Sequence, residues 1–181
     1  MASPPDRLEL KNAAMISILA SVAVVLGIVE SFIPFAVAVP GAKLGLGNIM
    51  VLTCLYYFKG RDAITLILLK TLLTSFILGT FSTFLFSLFG SLASFLVMFA
   101  LLRVKKGLFS LAAISIVGGI AHNLGQLGAA ALVLGSTSIF FYLPLLLVAG
   151  VVTGFFIGVA STFLIGSIDK LGLLRPAGGT P

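Results

Sequence analysis

Long apolar runs, broken at intervals by short groups of charged, Gly or Pro positions, dominate the chain. Six runs stand out: residues 13–33, closed by Pro34 and the loop PFAVAVPGAK; 44–58, stopped by Lys59, Gly60, Arg61 and Asp62; 63–78; 83–102, ended by Arg103, Lys105 and Lys106; 108–134; and 139–168. The breakers after the third and fifth runs, at Gly79 and at Gly135 to Ser138, carry no charge. Uninterrupted apolarity over this length predicts helices that cross a bilayer, which need roughly 20 apolar residues each. The alternation that marks a transmembrane β-barrel is missing.

Composition agrees with that reading. Of 181 residues, 60% are hydrophobic and 9% charged, whereas a soluble domain carries about 25% charged residues. Six spans use most of the chain and leave little for an extramembrane domain. The net charge of +6 does not point to nucleic acid, because the basic residues sit in small groups beside the apolar runs, where they set orientation. Six spans place Arg7, Lys11, Lys59, Arg61, Arg103, Lys105, Lys106, Lys170 and Arg175 on one face, leave Lys43 on the other, and put Lys70 inside a span. Removing either uncharged hairpin would set consecutive basic clusters on opposite faces, against the positive-inside rule. The expected fold is therefore an all-α integral membrane protein of six transmembrane helices, multi-pass in the plasma membrane, with both termini cytoplasmic. Residues 13–168 form the single domain, flanked by cytoplasmic segments 1–12 and 169–181. The polar start of the chain and the length of its first run read as a retained span, not a secretory signal.

Function is constrained by what the polar residues can do. The single cysteine, Cys54, lies in an apolar run and reads as a packing residue, since it cannot form an intrachain disulfide or a multi-cysteine metal site. Three ionisable residues fall within spans: Glu30, Lys70 and His122. Such residues are costly in a bilayer and face a bundle interior, a cavity or one another. Glu30, near the outer end of the first run, reads as a snorkelling or capping carboxylate or as the charge of a site. Lys70, roughly 12 Å along the third run from Asp62, either snorkels to the cytoplasmic headgroups or contributes to a cavity. His122 opens the most polar intramembrane stretch, GGIAHNLGQLGAA. His122 and Gln126 share a helical face, with Asn123 about 100° round; these groups serve either interhelical hydrogen bonding or the lining of a pocket. The stretch has no second histidine and no carboxylate, so neither a metal nor another cofactor is expected. Ala13, Ser17 and Ser21 form a small-residue stripe on the first run, which admits a close helix from this chain or another protein.

The segments PGAKLGLGN and AHNLGQ, with their apolar surroundings from Ala13 to Ile168, resemble the Gx transporter family, whose members are often labelled heptaprenyl diphosphate synthase component I. The resemblance implies kinship with the substrate-binding S components of energy-coupling factor (ECF) vitamin transporters. Those proteins have six helices and an outward-facing pocket built from the first external loop and the later helices. They dock a membrane coupling protein through small residues on the first helix, a pattern that Ala13, Ser17 and Ser21 approximate. A catalytic prenyl synthase needs paired aspartate-rich motifs for magnesium, but the aspartates here stand alone at positions 6, 62 and 169. No GxxxxGK[ST] loop is present either, so ATP-driven uptake would require a separate ECF-type scaffold and ATPases.

The leading expectation is thus a non-enzymatic, S-component-like protein that captures a small molecule from the outer side. Lys43 and Asn48 would form the rim of the site, Glu30 would supply charge, Lys70 would reach the cavity, and His122, Asn123 and Gln126 would line the floor. The alternative is a non-catalytic membrane subunit of prenyl or quinone metabolism, or of extracellular electron transfer, with an isoprenoid-like ligand between helices. The sixteen phenylalanines suit either.

Overall fold

The computed structural model describes residues 7–32, 45–78, 81–104, 108–172 and 174. Among these are six α-helices, α1 (Arg7–Ser31), α2 (Asn48–Tyr57), α3 (Gly60–Leu78), α4 (Phe81–Val104), α5 (Leu111–Leu134) and α6 (Leu143–Lys170), with a 3-10 helix at Thr137–Tyr142 before α6. Four segments are long and apolar enough to cross a membrane: Glu9–Ser31, Phe81–Val104, Leu111–Leu134 and Thr137–Lys170. The remaining two helices differ for separate reasons. α3 has 19 residues but carries Arg61, Asp62 and Lys70, and α2 has only 10, about 15 Å of rise.

Several boundaries depart from the apolar pattern. The Gly60, Arg61, Asp62 group expected to be a stop is the first turn of α3, because the Asp62 carboxylate accepts from the Lys59 N–H at 3.0 Å and holds that turn closed. α2 is shorter than the run 44–58, since Gly45 to Gly47 form a turn at its head and Phe58 at its foot is extended. α5 starts at Leu111, where the Ser110 hydroxyl accepts from the Ala113 N–H at 3.1 Å. It ends at Gly135, whose φ of 61° is the left-handed cap conformation.

The bundle wears its apolar residues outside. Phe76, Phe141, Leu132 and Phe163 are 74–87% exposed, and so are Ile18, Val22, Val25 and Val29 along α1 in lesser degree. The polar side chains Asn48, Thr53, Ser91, Ser115, His122 and Ser161 lie inside. This inversion suits hydrocarbon as solvent, in which association rests on close packing and internal hydrogen bonds. α2 lies at the centre, packed by α1, α3, α4 and α6. The side chains of Val51, Leu52 and Cys54 on it are fully buried, so Cys54 is a core residue. At its foot the Tyr57 hydroxyl reaches the Ile165 carbonyl at 3.0 Å and the Asp169 carboxylate at 2.7 Å.

α5 is clasped between α4 and α6 by glycine seams. A methyl added at Gly158 would meet Ala112 Cα at 2.5 Å, one at Gly154 would meet Ile116 Cα at 2.7 Å, and one at Gly125 would meet the Phe89 carbonyl at 2.7 Å. These neighbours are backbone and cannot swing aside. By contrast, the position of a methyl at Gly166 has nothing within 4 Å. Gly158→Ala is therefore expected to lower stability by about 1–3 kcal/mol, the usual range for overpacking, while Gly166→Ala leaves it unchanged or slightly higher. Thermal unfolding of the two variants in detergent checks this; equal midpoints would deny that the seam sets the α5–α6 distance.

Candidate binding site

The C-terminal end of α1, the head of α2 and the middles of α3 and α5 meet around one small cavity. Glu30 is the penultimate residue of α1. Its carboxylate turns inward and accepts the backbone N–H of Gly45 at 2.7 Å and of Leu46 at 3.1 Å. The turn those groups belong to depends on glycine: Gly45 has a φ of 81°, and its carbonyl accepts from the Asn48 N–H at 2.8 Å. Gly47 lies where a methyl would come within 3.3 Å of both Lys70 Nζ and the Ala23 carbonyl.

Beneath this turn runs a second polar line. Lys70 Nζ donates to Asn48 Oδ1 at 3.0 Å, and Asn48 Nδ2 lies 3.2 Å from His122 Nδ1. The protonation pattern follows from the chemistry of the ends. An ammonium can only donate, so it claims the amide oxygen; the amide NH2 then faces His122, whose Nδ1 must accept. In this arrangement a His122 tautomer with its proton on Nε2 matches the amide. All four residues are deeply buried: Glu30 is 6% exposed, Asn48 3%, Lys70 7% and His122 2%. α4 makes room for the imidazole with Gly90, where a methyl would stand 3.1 Å from His122 Nε2. The cavity measures about 20 Å³ and is lined by Glu30, Gly45, Lys70, Thr74, Ser87 and His122 among others. That is room for about one water molecule, too little for a larger ligand in this state.

The expected site residues separate into three groups. Glu30, Lys70, Asn48 and His122 come together, although not in the expected roles. Asn48 is no rim residue: it is the buried link between Lys70 and His122. Glu30 and Lys70 point inward instead of snorkelling, because partners in the interior hold them. Asn123 and Gln126 are buried but are not among the residues lining the cavity. Asn123 Nδ2 donates instead to the Leu146 carbonyl at 2.6 Å, which ties α5 to the first turn of α6. Lys43 lies outside the described residues. Ala13, Ser17 and Ser21 form an exposed line on α1, with the Ser17 and Ser21 hydroxyls turned back onto Ala13 and Ser17 carbonyls at 2.9 Å; no other helix of the described bundle covers them.

The pattern alone did not single out Gly45, Gly47, Gly90, Thr74 or Ser87 for this site. Thr74 lies one turn beyond Lys70 on α3, an i, i+4 relation that could have suggested it. For Gly47 and Gly90 the importance lies in what approaches them from other helices, whereas Gly45 is needed for its own left-handed φ.

A family model described as heptaprenyl diphosphate synthase component I matches residues 19–164, which is more than half of the chain and includes every described member of the cluster. No curated protein and no solved structure matches.

The Asn48 amide is expected to be essential to the fold as well as to the site. Asn48→Leu removes both hydrogen bonds while keeping the branching and heavy-atom count of the side chain, and leaves Lys70 facing an apolar group, an expected loss of about 2–4 kcal/mol. Asn48→Asp, which still accepts from Lys70, should lose less. Unfolding of the purified variants measures both, and an unchanged Asn48→Leu would show that the amide is dispensable.

Proposed function

The chain belongs to the heptaprenyl diphosphate synthase component I family, and we propose that it works as a non-enzymatic membrane binding protein, similar to an ECF S component. In this reading it takes a small molecule from the outer side of the plasma membrane into the site around Asn48. One observation carries the proposal: Glu30, Lys70 and His122 converge on a cavity in a bundle that otherwise hides few charges. Packing alone is served as well or better by apolar residues than by buried ionisable ones, and within a membrane such residues mark binding or transfer sites.

The topology proposed with it has six spans and cytoplasmic termini, with residues 13–168 as the membrane domain. The basic groups at Lys11, Lys59, Arg61, Arg103 and Lys170 then share the inner face, and the cavity opens towards the outer one. α2 takes part as a half-length element covered by its neighbours, as irregular or short segments at membrane depth must be. Uptake would need separate energising proteins, a scaffold and ATPases, and the exposed Ala13, Ser17, Ser21 line is the proposed contact for the scaffold helix. Lys43 is proposed for the rim, and Asn123 and Gln126 for the outer shell of the floor.

A second reading rests on a different observation. An apolar groove of about 580 Å³ runs between α4, α5 and the 3-10 helix, lined by Phe89, Gly125, Gly128, Leu132 and Phe140 among others. A groove of that character suits an isoprenoid chain, as in a non-catalytic membrane subunit that serves a prenyl synthase partner or quinone-linked electron transfer.

The readings separate by mass spectrometry of what the gently purified protein retains. A small water-soluble molecule present with the parent protein and lost from His122→Ala supports the first. An isoprenoid or quinone retained by both proteins replaces it with the second. For the topology, cysteines introduced at Phe32 and Arg103 should be labelled from outside and inside respectively, and labelling from the same side would overturn six spans.

A further inference from the structure

The acids of the chain are five, Asp6, Glu9, Glu30, Asp62 and Asp169. Asp62 is in the first turn of α3 and Asp169 is held by Tyr57 at the foot of α2, while Glu9 is in the first turn of α1. Glu30 is therefore the one acid among the described residues at the cavity. Without its carboxylate, the described lining would carry the Lys70 ammonium, the His122 imidazole, the hydroxyls of Thr74 and Ser87, and the two N–H groups of Gly45 and Leu46. That set donates hydrogen bonds and bears a positive charge. It lacks an anion, and Glu30 supplies one.

The position of Glu30 is a poor one for a purely structural carboxylate. It sits in the last turn of α1, where the exposed carbonyls form the negative end of the helix dipole and disfavour an acid. What compensates is its pair of bonds to the α2 head, at 2.7 and 3.1 Å. A carboxylate grasped through both oxygens by adjacent backbone N–H groups, with a buried lysine in the same cavity, is held as a bound carboxylate or phosphate ligand would be held.

We propose that Glu30 is a built-in substitute for the anionic group of the ligand. The structure with its 20 Å³ cavity is a self-occupied state, and the ligand is a small molecule bearing a carboxylate or phosphate. That group displaces Glu30 from the Gly45 and Leu46 N–H groups and pairs with Lys70. The displacement frees the Gly45–Gly47 turn, so entry of the ligand and opening of the 20 Å³ cavity are one event. This rests on the binding role proposed above and adds to it the charge of the ligand and the group it competes with.

The test uses the full-length protein in phosphatidylcholine nanodiscs, with inorganic phosphate and acetate as probes in calorimetric titrations. Glu30→Gln keeps the size of the side chain but replaces one acceptor with an NH2 group that faces a donor, so the internal competitor is lost. At least one probe is expected to bind ten-fold or more tightly to Glu30→Gln than to the parent. Lys70→Met added to Glu30→Gln should abolish the gain. Glu30→Asp, which withdraws the carboxylate by one methylene, should give a gain of the same sign and serves where Glu30→Gln unfolds. If phosphatidylglycerol in the nanodisc weakens binding of the probes by competition, a lipid headgroup supplies the anionic group; if it does not, a soluble ligand does, and both agree with the proposal. Equal or weaker binding by both Glu30 variants, or a gain that survives Lys70→Met, overturns it. A retained neutral or cationic ligand in the mass spectrometry above would also overturn it while leaving the binding role intact.

Discussion

The interior of this bundle depends on one amide. Asn48 joins an ammonium on α3 to an imidazole on α5 from the head of α2, so three helices that share little apolar sequence logic are held at a common depth. In hydrocarbon, the hydrophobic effect does not drive helix against helix. Buried polar groups then decide which helices meet, since each must find a partner or suffer the full penalty of desolvation. Glu30 adds the fourth element, α1, by the same means. The glycine seams between α4, α5 and α6 permit the approach that the polar contacts direct.

How much of this was legible in the sequence varies with the range of the cause. The helical class and the scarcity of polar surface follow from local apolarity, and each of the six runs overlaps one of the six helices. The boundaries were less legible, because Asp62 stabilises the start of a helix from a position that reads as a break. Glu30, Lys70 and His122 stood out as anomalies in apolar surroundings, which is a strong signal in a membrane chain. Their partners did not. Asn48 was expected at the rim of the site, and only the fold reveals that the head of α2 is buried in the bundle. Asn123 and Gln126 carry the same polarity as His122, yet Asn123 serves a neighbouring backbone; composition cannot say which face of a helix meets a cavity and which meets another helix.

The small volume of the cavity bears on the binding role proposed for it. A site with a lysine, a glutamate and a histidine open to lipid or water would admit ions and destabilise the bundle, whereas a permanently dry one would bind nothing. Here the charges are satisfied by residues of the chain itself, and the space left over is that of a single water. The polar groups are thus stored in mutual contact, with Glu30 and the turn at Gly45 at the boundary between the store and the outside.

The short central helix has one further consequence. α2 is anchored at its foot by the Tyr57 hydroxyl, which bridges to Ile165 and Asp169 near the end of α6, while its head is held by polar contacts to α1, α3 and α5. A rod held at its foot can answer a change of partners at its head only by pivoting. Rearrangement at the head would therefore be delivered as leverage to the far end of α6, about 15 Å away along α2.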